Sequence, residues 1–133
     1  MRNGENARLV LVAAKEDLLD NLRDALADTN FELLHAPTKE EALALLERLR
    51  SEIHIAIVEL ELQDFDGWDL IRRITFRAEK PVKIIATTST YPESFFEKIK
   101  AIGVDRVVTK TISPEAWHKA VEGVSEENEY AHR

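Results

Sequence analysis

Short apolar runs alternate along this chain with amphipathic stripes at helical spacing, five of each. The runs are residues 9–12 (LVLV), 31–34 (FELL), 55–58 (IAIV) and 82–86 after Pro81, with Val107 and Val108 as a short fifth. The third is apolar throughout, which suits a strand covered on both faces, although four residues alone do not exclude helix. Between the runs, Leu18, Leu19, Leu22, Ala25 and Leu26 make the first stripe, with acids at its start and Asn30 closing it. Thr38 and Glu41 stand at capping-box spacing ahead of Ala42, Leu45, Leu46 and Leu49. A third helix carries Leu70, Ile71 and Ile74, with Asp66 as its N-cap and Asp69 near its positive end. Pro92 precedes a fourth, with Phe95, Ile99 and Ile102 on one face and Gly103 at C′. Ser113 and Pro114 read as N-cap and N1 of a last helix bearing Trp117, Ala120, Val121 and Val124. The remaining SEENEYAHR is a polar tail expected to fray.

Five strands alternating with five helices through short connections call for a parallel sheet with helices on both faces and right-handed crossovers. The fold class is therefore α/β, in one domain whose core spans about residues 8–124, with a polar tail at 125–133. At 133 residues and 44% hydrophobic content the chain has material for a single core. A net charge of −7 with no basic cluster argues against nucleic-acid and anionic-membrane surfaces. The absence of cysteine excludes disulfides, thiolate metal sites and cysteine nucleophiles. The opening MRNGENARL lacks the apolar core of a signal peptide, and no run reaches membrane-spanning length, so a cytoplasmic protein is expected.

In open parallel α/β sheets, chemistry sits beyond the carboxyl ends of the strands. The third run ends in Glu59, followed by Asp64, Asp66 and Gly67, which makes Glu59 the position to interrogate. With ELELQDFDGWDL at 59–70, PVKIIATTS at 81–89 and GVDRVVTKTISPE at 103–115, the chain resembles the receiver domain of bacterial response regulators. The three segments fall in the right order within the five-fold repeat, and the resemblance covers about residues 8–124. It implies a flavodoxin-like, doubly wound sheet of five parallel strands in the order 2-1-3-4-5.

At the positions that carry receiver chemistry the chain departs from the family. The resemblance places the pair of Mg²⁺-binding acids at Ala13 and Ala14, and a methyl group offers no oxygen to a cation that wants an oxygen octahedron. Glu16 and Asp17 lie just downstream but belong to the first helix. The phosphoacceptor aspartate corresponds to Glu59. Its extra methylene moves the carboxylate by roughly 1.5 Å, and misplacement on that scale costs about a hundredfold where positioning carries catalysis. Without a metal to neutralise developing charge the barrier rises further. The switch hydroxyl falls at Ala86, beside Thr87 and Thr88, and the switch aromatic at Val107. The lysine is kept as Lys110, and the proline that commonly follows it is Thr111.

These changes agree with one another and describe a degenerate receiver that is not an enzyme, needs no cofactor or metal, and acts through protein contacts in two-component-type signalling. Its expected partner is a kinase, an output domain or another regulator, or a second copy met through the last two helices and the fifth strand, with Phe96 and Trp117 as candidate contacts. Neither nucleic acid nor membrane is expected. A Glu59–Lys110 pair would mimic the phosphorylated state in part, because glutamate carries less charge than an acyl phosphate. It would otherwise be a structural ion pair. Asp64 and Asp66 read as turn and cap residues before they read as a displaced metal site. Trp68 reads as boundary packing, and His35, His54, His118 and His132 show no metal-ligand spacing. Two alternatives stay open: an atypical receiver phosphorylated at Glu59 or a nearby acid, and a small-ligand sensor using the pocket near Ala13, Ala14 and Glu59.

Overall fold

Strand follows helix follows strand without exception in the computed structural model, which describes residues 8–49, 52–77, 82–89, 93–109 and 111–130. The elements are β1 (Arg8–Ala13), α1 (Glu16–Ala25), β2 (Phe31–Ala36), α2 (Lys39–Arg48), β3 (Ile53–Glu59), α3 (Leu62–Arg77), β4 (Lys83–Thr88), α4 (Glu93–Ala101), β5 (Arg106–Thr109) and α5 (Pro114–Tyr130). The strands form one sheet in the order β2-β1-β3-β4-β5, every neighbouring pair parallel. This is the α/β architecture and the strand order expected from the sequence. β3 is the central strand, so its carboxyl end lies at the middle of one sheet edge.

Period-two alternation sorts the strand side chains into two cores. Val10, Val12, Ile55, Ile57 and Ile85 face α1 and α5, where they pack with Leu18, Leu22, Trp117, Val121 and Val124. Leu11, Ala13, Ala56, Val58, Ile84 and Ala86 face the other way, beneath Leu46 of α2, Leu70, Ile71 and Ile74 of α3, and Ile99 of α4. Each large aliphatic fully buried in this way is worth about 1.5–3 kcal/mol over leaving it in water. One irregularity re-phases the pattern. Leu9 pairs with Ile53 and Val10 with Ile55, which leaves His54 as an extra residue in a bulge. Ile53 therefore joins the core of Ala56 and not that of Ile55.

Several ends form as the sequence predicts. Thr38 Oγ1 accepts from Glu41 N–H at 3.1 Å, Ser113 Oγ accepts from Ala116 N–H at 3.1 Å, and Gly103 has φ 101° just past α4. Others move. α1 stops at Ala25, because Thr29 folds its hydroxyl onto Leu26 O at 2.8 Å and Asn30 O accepts Arg8 N–H at 2.9 Å, turning the chain into β2. Asp66 is not an N-cap: α3 begins at Leu62, so Asp66 lies inside the helix, and the side chain of Asp64 lies outside the described residues. β4 takes in Thr87 and Thr88, which pair with Glu59 and Thr109. α5 continues to Tyr130 through residues expected to fray, with Ser125 Oγ receiving a hydrogen bond from the Arg8 guanidinium. Pro81 and Pro92 lie outside the described residues.

Candidate functional site at the carboxyl end of β3

Glu59 is the last residue of β3 and only 1% exposed. Strand alternation from Ile55 and Ile57 turns its side chain toward α1, and its Oε1 accepts the Lys15 N–H at 3.0 Å. Lys15 is the N-cap residue of α1 and supplies no side-chain cap of its own. The Glu59 carboxylate fills that role from another strand, at the positive end of the helix dipole, where a charge-assisted hydrogen bond is strongest. The backbone just beyond Glu59 is held equally closely. Leu60 N–H donates to Thr87 O at 2.8 Å, and Gly67 of α3 lies against Glu59 O with no room for a side chain.

Ala13 and Ala14 stand at the end of β1, next to the end of β3 in the sheet and both fully buried, Ala13 in the core under α2 and α3 and Ala14 in the core under α1 and α5. Mg²⁺ takes hard oxygen ligands, usually including one or two carboxylates. Two closed methyl positions and one carboxylate already receiving a backbone N–H do not fit such an ion. Among the described residues no group of three or more His, Asp or Glu side chains is placed to hold a metal.

The switch positions stand side by side: Ala86 of β4 is the register partner of Val107 of β5. Neither has a hydroxyl or a ring to move. The neighbouring threonines, Thr87 and Thr88, are both buried. Thr87 is fully buried, and its hydroxyl has no hydrogen-bond partner among the described residues. A buried hydroxyl left unpaired costs about 1–3 kcal/mol. Thr87→Val is therefore expected to stabilise the fold, raising the midpoint of thermal unfolding by about 3–5 °C per kcal/mol in a chain of this size. A circular-dichroism melt with an unchanged or lower midpoint would show that the hydroxyl is satisfied. Thr88 donates its hydroxyl to Glu61 Oε2, and Ser89 N–H points at Glu61 Oε1 from 3.4 Å.

The other sequence candidates scatter. Lys110 lies outside the described residues, as does the side chain of Phe96. Trp117 is corrected: it is fully buried against the α1 face of the sheet, because its helical spacing with Val121 and Val124 puts it on the core stripe and not on the surface. Asp66 and Asp69 form an ion-pair cluster instead of a metal site. Lys39 Nζ lies 3.7 Å from Asp66 Oδ1 and 3.1 Å from Asp69 Oδ2, and Arg73 Nε lies 2.9 Å from the same Asp69 oxygen. The Lys39 hydrogen bond, with that of Arg73, holds the Asp69 carboxyl below its ordinary value, and Asp69 in turn raises Lys39. Trp68 packs half-buried on the core under α3. His35 Nε2 meets Ala14 O at 2.7 Å, and His118 pairs with Glu122 at 3.3 Å. Sequence reasoning missed Glu61 and Lys39. The only signal for Glu61 was an acid breaking an otherwise apolar 60–62, two residues past Glu59 as Thr88 is two past Ala86.

No helix among the described residues is long and apolar enough to cross a membrane. No curated protein matches this chain. Solved structures give the same fold: a response regulator from Thermotoga maritima is 18% identical, with 89% of this chain and 97% of that one covered at a TM-score of 0.79. The chemotaxis response regulator CheY4 of Vibrio cholerae is 20% identical, with 89% and 98% covered at 0.77. A two-component response regulator from Clostridium difficile is 18% identical, with 91% and 97% covered at 0.76. Residues 9–122 match the family model of the response regulator receiver domain, and with the strand order and the site at the end of β3 this places the chain in the response regulator receiver family.

Proposed function

We propose that this chain is a receiver-fold signalling module that takes up no phosphoryl group and acts in one fixed state through contacts with a protein partner. The observation that supports this reading best is the state of Glu59. Its carboxylate is buried and bonded to the Lys15 N–H, and the neighbouring strand β1 ends in two alanines where a metal-assisted phosphoryl transfer needs acids. The substituted switch pair Ala86–Val107 points the same way, since a phosphorylation signal would find no hydroxyl and no ring to move. The module reads as non-enzymatic and cytoplasmic. Its partner would be a kinase, an output domain, another regulator or a second copy. The contact surface would be α4, α5 and β5, the last an edge strand whose four residues are all half-buried.

The test is a Mg²⁺ titration followed by beryllofluoride, a phosphoryl mimic, read by amide NMR. We expect the amides of Ala13, Lys15, Glu59 and Ala86 to stay flat through millimolar Mg²⁺ and after beryllofluoride. Saturable shifts clustered at those residues and Lys110 would overturn the proposal and make the chain an atypical phosphorylated receiver. A ligand that raised the melting temperature without metal would instead favour a small-molecule sensor.

A further inference from the structure

We propose that Glu61 is a built-in latch, whose carboxylate takes the Thr88 hydroxyl and faces the Ser89 N–H and so holds the exit of β4 against the exit of β3 with no phosphoryl group present. The inference extends the fixed-state reading above and rests on it for its signalling meaning, though not for its geometry.

The backbone ladder between β3 and β4 ends where Leu60 N–H meets Thr87 O at 2.8 Å. Beyond that point β3 has ended while β4 runs on to Thr88, and the Glu61 side chain carries the connection onward. A carboxylate suits that place because each of its two oxygens can accept a separate donor, and a charged acceptor binds more strongly than a neutral one. Thr88 is 1% exposed and is the register partner of Thr109, so a group that fixes Thr88 also fixes the end of β5. The bond therefore lies between the site at Glu59 and the β4–β5 edge that leads to α4. Ala86 and Val107, one turn of the pleat earlier, are apolar and packed on the core, so no mobile switch competes with the latch.

The test is amide hydrogen exchange on the full chain, without metal or phosphodonor, comparing Thr88→Val, Thr88→Ser and Glu61→Ala with the parent. Valine keeps the shape of threonine and removes the donor, while serine keeps the donor. Thr88→Val and Glu61→Ala are each expected to speed exchange at Ser89 and along α4 about tenfold, with β1 and α1 amides unchanged. Thr88→Ser is expected to restore the parental rates, which a packing role for Thr88 would not. Unchanged rates at Ser89 and α4, an equal rise in β1 and α1, or failure of serine to rescue would each overturn the latch. Because no metal or phosphodonor is present, these outcomes are independent of the Mg²⁺ and beryllofluoride titration. Phosphoryl uptake there would sink the fixed-state reading and leave the exchange result standing.

Discussion

Trp117→Ala is expected to remove about 3–5 kcal/mol of folding stability, the range for truncating a large aromatic in a closed core. Trp117 is fully buried near the start of α5 and packs in the core shared by Val10, Val12, Ile57 and Leu18. Domains of this size have about 5–15 kcal/mol in total. Such a loss would remove a large fraction of that total, with α5 the first element expected to separate from the sheet. The indole Nε1 has no hydrogen-bond partner among the described residues, so the loss comes from volume and apolar area and not from polar bonding. Trp117→Phe should for that reason cost much less than Trp117→Ala. Urea denaturation of both variants checks the prediction. A Trp117→Ala loss below about 1 kcal/mol would mean that the indole is a surface group after all.

Gly67→Ala should be nearly as damaging, against the ordinary preference of helices. Within a helix, alanine is favoured over glycine by about 1 kcal/mol. Here a Cβ on residue 67 would lie 2.3 Å from Glu59 O, 2.8 Å from Leu60 Cα and 3.0 Å from Glu59 C. All three are backbone atoms and cannot step aside as a flexible side chain would. Either α3 lifts from the sheet or the end of β3 is pushed back. Overpacking on this scale costs about 1–3 kcal/mol or more, so the steric term wins over propensity. A second readout is local. Moving the Glu59 carbonyl disturbs the carboxylate on the same residue, so the Lys15 amide should shift in the NMR spectrum. A melting temperature at or above that of the parent, with the Lys15 amide unmoved, would contradict the close approach.

Much of this architecture is legible in the sequence. The alternation of apolar runs with helical stripes gives the element order, and the resemblance supplies the strand order. Ser113, Thr38 and Gly103 mark ends by local chemistry that a single stretch of chain contains. What the sequence hid depends on distant residues. Nothing near Glu59 shows that its carboxylate caps α1, because Lys15 is 44 residues away and contributes only its backbone N–H. The Glu61–Thr88 bond spans 27 residues and depends on β3–β4 register. The start of α3 was misplaced because Asp64 and Asp66 suit a turn and a first helical turn equally well. Trp117 was misread for the opposite reason: its place on the core stripe was visible, but its size and its location on α5 suggested a contact surface.

The cap that Glu59 provides to α1 constrains the order in which this chain could change. To acquire a carboxylate-lined cation site, it would need acids at positions 13 and 14 and a shorter acid at 59. Glu59→Asp alone withdraws the carboxylate from the Lys15 N–H and removes that hydrogen bond from the start of α1. Ala13→Asp alone sets a charge in a closed apolar core, where an unpaired carboxylate costs several kcal/mol. Each step is a loss until the others and the ion are in place. Intermediate sequences on that path would be less stable than either endpoint, so the arrangement at β3 is self-preserving under one-at-a-time mutation.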